Sequence, residues 1–513
     1  MAPDRSYLLL TGATGLLGRS LLRDLAAAGR RVAVLVRGSK TADAAARVDE
    51  LLADWQEVAG AVVECPVVLE GDITRPGLGL DPAAADWVAR HVGEVVHSAA
   101  SLSFERRSSD DEPYASNVRG TANVLDACRT AGIRRLHHVS SAYVCGLREG
   151  RILETELDVG QTPGNDYERS KIDSETAAVS APFLDVVTVH RPSIIVGDLV
   201  TGFTNTFHGF YKPLRIVQPF VEAFVQARLA PGSLLDVLGM SGREAKNLVP
   251  VDWVSAVMTR IIQDPSAHGR TYHLATDHPT PSGRLCRLFE ELVVAMAAER
   301  SAGRAAAAPR PPAFDPATLG RLFGDQMHVY RAYWRDDPRF DTSHTRAFAP
   351  DLPAPQLDDE TIRRLCRFAI GSGFRWPPPG RPAPGPGARG ALVERLGAPR
   401  WSAAPAGPCA GLAVAGAGGG QWTLSGGSGG AASWHVGLPA PGAPVVRLTA
   451  ARLAHACDER HPAAALDGAL VEGTTAADRQ VAVDLLTAVV MQAPGASAPA
   501  ERPAGSRPLA AVR

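Results

Sequence analysis

The 513-residue chain exceeds the usual size of one domain, so two domains are expected. A formal net charge of -1 gives no electrostatic reason to expect nucleic acid, and no apolar run reaches the roughly 20 residues of a membrane span. Seven cysteines, at 65, 128, 145, 286, 366, 409 and 457, lack close paired spacing, which argues against a disulfide framework or a metal site and suits a reducing compartment. The first apolar run begins within a few residues of Met1, leaving no room for a signal peptide, so a soluble cytoplasmic protein is expected.

Tyr7-Leu8-Leu9-Leu10 reads as a buried strand, followed by the turn Thr11-Gly12-Ala13-Thr14-Gly15-Leu16-Leu17-Gly18 and a helix with apolar positions three and four apart. Gly12 suits a tight turn, Gly15 lets backbone approach a pyrophosphate, and Gly18 lets helix pack on strand. The helix N-terminus then offers free N–H groups and positive dipole to phosphates. Arg31 to Val36 is a second strand, ending in Arg37 where an acidic residue would select an unphosphorylated ribose. A guanidinium pairs well with a 2′-phosphate, so NADPH is favoured over NADH. Val67 to Glu70 is a third strand, which places Asp72 and Ile73 at its carboxyl end. Glu94 to Ser101 is a fourth, in which His97 reads as a core or strand-end histidine and small residues follow. Asn117 opens a helix, and Arg135 to Ala142 gives a fifth strand. Strands alternating with helices at this spacing imply right-handed crossovers and a parallel sheet.

Ser140-Ser141 ends that fifth strand, and Tyr167-Glu168-Arg169-Ser170-Lys171 follows. Tyrosine and lysine four apart share one helix face, near enough for the ammonium to lower the phenol's pKa. Such a phenol can deliver a proton to a carbonyl oxygen as hydride arrives, while the Ser141 hydroxyl holds that oxygen.

With these motifs in order, residues 6 to about 260 resemble an extended short-chain dehydrogenase/reductase, of the kind found in fatty acyl-CoA reductases and thioester reductase domains. Gly71-Asp72-Ile73-Thr74, Asn117 to Thr121, and the run His190 to Asp198 with Thr201-Gly202 carry the resemblance further. It implies catalysis by Ser141, Tyr167 and Lys171. It also implies NADPH contacts from Thr11, Gly12, Thr14, Gly15, Leu16, Leu17, Gly18, Arg37, Asp72, Ile73, Ser98, Ala99, Ala100, Asn117, Ser140, Tyr167, Lys171, Arg191, Pro192, Ser193 and Ile194. The expected fold is a Rossmann-type doubly wound parallel sheet with a substrate cap over 203–240 and 282–376, closing a reductase domain of 1–376. In the cap, Phe207, Phe210, Tyr211, Phe220, Phe224, Leu229, Leu234 and Leu235 suggest an acyl pocket.

Residues 377–419, rich in Pro, Gly and Ala, read as a linker. A small α+β domain is expected over 420–491, weakly similar to sterol-carrier-protein-like lipid-binding domains, and a disordered tail over 492–513. The leading expectation is NADPH-dependent reduction of a long-chain acyl-CoA or acyl-carrier-protein to aldehyde, with alcohol as a further product. Oxidation or reduction of a hydroxysteroid or other apolar alcohol or ketone is a rival, and a non-catalytic NADPH- and lipid-binding protein is another.

Overall fold

A computed structural model of the chain describes residues 5–492, apart from 60–62, 107, 109–110, 218–234, 236–239, 303–326, 378–386, 403–407, 427–431, 442, 461, 463–464, 466–468 and 474. It divides into two compact units, Met1–Ala383 and Pro384–Arg513.

Seven strands build the sheet of the first unit: β1 (Tyr7–Thr11), β2 (Arg31–Val36), β3 (Val67–Glu70), β4 (Val92–His97), β5 (Arg135–Val139), β6 (Val186–Pro192) and β7 (Thr271–Leu274). They lie in the order β3-β2-β1-β4-β5-β6-β7, and every neighbouring pair is parallel. Such strands are covered on both faces, which is why Tyr7 to Leu10 and Val32 to Val36 are apolar throughout and buried. Strand order reverses between β1 and β4, opening a crevice at their carboxyl ends. The covering helices are α1 (Leu16–Ala27), α2 (Ala44–Ala59), α3 (Pro82–His91), α4 (Gly120–Ala131), α5 (Asp166–Val179) and α6 (Val251–Gln263). A π-helical turn, Ala115–Arg119, leads directly into α4.

Beyond the sheet, α7 (Ser282–Ala302) and α8 (Asp359–Gly371) pack with the segment after β6 into a second apolar cluster. Phe207, Phe210, Tyr211, Leu285, Phe289, Met327, Tyr330, Ile362 and Leu365 are buried in it, and Leu235 packs against it. Phe220, Phe224, Leu229 and Leu234, also expected in an acyl pocket, lie outside the described residues.

In the second unit the structure departs from the expected linker. A helix, α9 (Gly387–Leu396), and a strand, β8 (Cys409–Ala415), occupy residues read as unstructured. β8 lies at the centre of a five-stranded sheet with β9 (Gly420–Gly426), β10 (Ala432–Val436), β11 (Val445–Thr449) and β12 (Leu470–Glu472), in the order β10-β9-β8-β11-β12. The cause is a core built from small side chains. Ala388, Ala391, Leu392 and Arg395 form a buried helical stripe, and Ala410, Leu412 and Val414 alternate inward along β8. Bulk is supplied by Trp422 and Trp434, whose ring centroids are 5.0 Å apart, and by α10 (Ala450–Glu459) and α11 (Ala476–Met491). These side chains fill the face between sheet and helices, so a lipid tunnel of the kind implied by the resemblance would have to open through this core.

Histidines are buried on both faces of the first sheet. His97 and His138 face each other across β4 and β5, and His137 stacks on His190 at 5.6 Å. The Thr121 hydroxyl donates to the Asn117 carbonyl (2.6 Å), so it accepts from His97 Nε2 (3.1 Å). His97 Nδ1 then accepts from Thr11 Oγ1 (2.8 Å), which fixes a neutral tautomer. Burial, helped by Lys171, pushes His97 down to about 3; burial, with His268, Arg30 and Arg135, pushes His137 down to about 3. The folded protein keeps these rings neutral where the unfolded chain would take up protons. Stability is therefore expected to hold above pH 6.5 and to fall as pH drops below it, by about 1.4 kcal/mol per pH unit for each such ring. Denaturant titrations between pH 7.5 and 4.5 measure this slope.

Candidate active site

The glycine-rich turn is held by close backbone contacts. Gly12 has φ +75°, and a β-carbon there would lie 2.6 Å from the Ala99 nitrogen. At Gly18 it would lie 2.0 Å from the Gly12 carbonyl oxygen. Gly15 differs: its nearest neighbour is the Gly12 carbonyl oxygen at 3.3 Å, and it caps α1 without any side-chain hydrogen bond. Gly12 and Gly18 are thus required by packing, whereas Gly15 keeps the surface above the helix N-terminus clear.

One cavity of about 440 Å³ joins that turn to the expected chemical groups. Its wall includes Gly12, Gly15, Leu16, Leu17 and Gly18 from the turn, and Ser98 and Ala100 after β4. Ser140, Ser141, Tyr167, Lys171, Pro192, Ser193 and Ile194 complete that side. Ser141 and Tyr167 share a hydrogen bond between their side chains, and Ser141 Oγ also accepts from the Tyr143 N–H (3.2 Å). Lys171 Nζ donates to the Val139 carbonyl (3.0 Å). The expectation that the ammonium lowers the phenol's pKa is not met. Burial pushes Tyr167 up to about 12, and the Ser141 hydrogen bond offsets this only in part. Burial also pushes Lys171 down to about 8, against the attraction of Glu175. At neutral pH the phenol therefore holds its proton.

Other expected cofactor residues lie behind the wall. Thr11 is buried, joined to His97 and accepting from the Ala99 N–H (3.2 Å). Asn117 accepts from the Ser101 N–H (2.7 Å) and donates to the Ser101 carbonyl (3.0 Å) and Ser170 Oγ (2.9 Å). Ser170 in turn donates to the Tyr167 carbonyl (2.7 Å), so Asn117 positions the helix that carries the phenol. Arg191 does not reach the cavity either. Its side chain is 1% exposed and forms an ion pair with Glu175 (2.6 Å), one turn beyond Lys171 on α5. The sequence motif around it thus reports a buried pair, with partners remote in the chain. Ile73 packs on α4, where a β-carbon at Gly120 would meet its Cδ1 at 2.8 Å, and its carbonyl accepts from Asn123 (2.7 Å).

Arg37 sits at the end of β2 with an exposed side chain, 3.6 Å from Asp72. Burial pushes the Asp72 carboxyl up, but hydrogen bonds from Thr74 and the charge of Arg37 outweigh it and hold the group below its ordinary range. Sequence reasoning missed Arg47, near the start of α2, which donates to the Arg37 carbonyl and lies 3.4 Å from Thr14 Oγ1. Ten residues past Arg37 in a helical stretch, it carries no motif.

Much of the remaining lining is apolar, from Phe104, Phe210, Met240, Phe289, Met327, Tyr330 and Trp334, and Phe104 packs edge-on against Tyr167 at 5.8 Å. Of these, Met327, Tyr330 and Trp334 lie on a segment inside the expected cap, 282–376, although the sequence did not single them out as pocket residues. Asp337 pins that segment to the body, accepting from Tyr143 Oη (2.8 Å) and the Asn247 N–H (2.7 Å) and pairing with Lys246 (3.3 Å).

The residues present fit a dinucleotide. The open surface above Gly15, the uncapped start of α1, and the buried Ser140 hydroxyl on the cavity wall, which has no hydrogen-bond partner, all call for a polar ligand along this side. Gly15→Ala is expected to fold normally, at a cost under about 1 kcal/mol for the altered cap, yet to weaken dinucleotide binding at least tenfold. Gly18→Ala should instead destabilise the protein itself. Thermal unfolding and nucleotide fluorescence titration on both variants separate the two effects.

Residues 10–258 match the family described as Male sterility protein. Among curated proteins, isonitrile lipopeptide synthase of Streptomyces coeruleorubidus is 33% identical over 226 residues, which covers 42% of this chain and 15% of that protein. The L-2-aminoadipate reductase large subunit of Penicillium chrysogenum is 26% identical over 306 residues, 54% of this chain and 20% of its own. Fatty acyl-CoA reductase wat of Drosophila melanogaster is 25% identical over 236 residues, 39% and 45% of the two chains. This chain thus spans less than half the length of each of these relatives. The terminal R domain from the myxalamid PKS-NRPS biosynthetic pathway shares the fold at a TM-score of 0.55 and 23% identity, covering 74% of this chain and 93% of that one. Among the described residues no helix is long and apolar enough to cross a membrane. Over residues 10–258, just under half of its length, the chain matches the Male sterility protein family, in line with the expected extended short-chain dehydrogenase/reductase of the reductase type.

Proposed function

We propose that this protein is an NADPH-dependent reductase of an apolar acyl thioester, acyl-CoA or acyl-carrier-protein, releasing thiol and an aldehyde. The observation that carries this reading is one cavity whose lining brings together the glycine turn and Ser140, the groups Ser141, Tyr167 and Lys171, and a set of aromatic and aliphatic side chains. An acyl chain would bury its apolar surface there. The similarity to fatty acyl-CoA reductase wat supports the same class.

When bound, NADPH supplies the hydride. The chain's own residues do the rest. Ser141 and Tyr167, already hydrogen-bonded to one another, present two hydroxyls to a carbonyl oxygen and stabilise the negative charge that develops on it. Tyr167 is protonated at neutral pH, so it can also give its Oη proton to that oxygen. Lys171 adds positive charge beside the site, anchored from behind by the Val139 carbonyl and by the Glu175–Arg191 pair. Arg37 and Arg47 would bind a 2′-phosphate in common, Asp72 holding Arg37 at the strand end.

Product analysis by mass spectrometry, after incubation with NADPH and a panel of acyl-CoAs of graded length, tests the proposal. Aldehyde formation rising with chain length supports it, and turnover of hydroxysteroids but of no thioester overturns it. Tyr167→Phe should lower kcat by about 10²- to 10⁴-fold while leaving the Kd for NADPH unchanged. Arg37→Ala combined with Arg47→Ala should cut the NADPH/NADH ratio of kcat/KM by about 10- to 100-fold, as expected for lost charge-assisted hydrogen bonds.

A further inference from the structure

A second cavity, of about 400 Å³, lies at the opposite edge of the first sheet from the catalytic groups. Its lining comes from the amino ends of the strands: Arg5 precedes β1, Arg30 precedes β2, Glu94 lies near the start of β4, Arg135 opens β5, and Asp185 precedes β6. Arg134 and His268 complete its polar wall.

Four guanidiniums thus share one recess with two carboxylates. Asp185 pairs with Arg134 (2.8 Å), and Glu94 pairs with Arg30 while its other oxygen lies 3.6 Å from His137. Arg5 donates to the backbone carbonyls of Ala131 (2.9 Å) and Gly132 at the end of α4, neutral acceptors that leave its charge unbalanced. Arg135 is exposed and makes no ion pair among the described residues. Its field reaches across the recess, disfavouring charge on Arg30 and on His268, while burial acts in the same direction on both. The four guanidiniums and two carboxylates that line the recess therefore leave two net positive charges, with Asp185 shared between Arg134 and Arg135, in a concave setting where Coulomb attraction is strengthened. Planar guanidinium forks suit the tetrahedral oxygens of phosphate better than they suit chloride.

We propose that this recess is a binding site for a phosphate group, separate from the dinucleotide crevice, with Arg135 as its principal ligand and Arg5 and Arg30 as flanking cations. The occupant is a small phosphorylated molecule or free phosphate.

The test uses the full chain saturated with NADP⁺, so that added phosphate does not report on the crevice. Inorganic phosphate is titrated by calorimetry and by thermal unfolding, against sodium chloride and succinate at matched ionic strength. Phosphate should bind and stabilise where chloride and succinate do not. Arg135→Glu should weaken that binding at least tenfold, with Arg135→Gln as a milder variant at the same exposed position. Asp185→Asn, which removes an exposed negative charge, should tighten it two- to fivefold. Equal stabilisation by chloride or succinate, or an Arg135→Glu variant that binds phosphate as the parent does, would overturn the proposal. Substituting a glucose monophosphate for phosphate distinguishes a phosphorylated metabolite from the free ion, since only an open site accepts both. These outcomes are independent of whether the protein reduces thioesters.

Discussion

The whole catalytic arrangement rests on how closely two stretches of backbone approach at Gly18. With only a hydrogen where a β-carbon would sit 2.0 Å from the Gly12 carbonyl, α1 can start directly over the end of β1. That start is aimed at the crevice between β1 and β4, where the strand order reverses. Gly12, pressed against Ala99, fixes the other boundary of the same crevice. Any larger residue at either glycine would push helix from strand and remove the surface along which a dinucleotide is read.

A second set of buried polar contacts holds Tyr167 and Lys171, the groups proposed to react, in place above the sheet. Glu175 and Arg191 lock α5 to β6, Lys171 reaches the Val139 carbonyl on β5, and Asn117 ties α5 to the residues after β4 through Ser101 and Ser170. A buried ion pair of this kind is costly to desolvate, so its contribution lies in orientation rather than in net stability. The π-helical turn that contains Asn117 places the amide where an unbroken α-helix entering α4 would not.

What the sequence disclosed follows from what is local. Buried parallel strands read as apolar runs, the turn carries its glycines in one octapeptide, and Tyr167 and Lys171 share a helix face at a spacing visible by inspection. What it hid depends on partners far away in the chain. Arg191 stands in a motif that looks like cofactor contact but forms a buried pair with Glu175; Arg47 reaches the nucleotide edge only because α2 folds back beside β2. Tyr330 and Trp334 acquire their place from the anchoring of Asp337. In the second unit, an alanine stripe on α9 and alternating small residues on β8 were mistaken for a linker. Composition alone does not reveal that two tryptophans supply the missing volume.

Asp337 gives the cavity two walls of different origin. One is built on the sheet and carries the hydroxyls and the ammonium; the other is a separate stretch of chain, fastened at its end by Asp337, which Tyr143, Asn247 and Lys246 grip together, and by Asp336 and Arg335 beside it. Residues ahead of that fastening can be exchanged without touching the sheet. Under the proposed function, preference among acyl chains would then be free to diverge while the groups on the sheet stay the same.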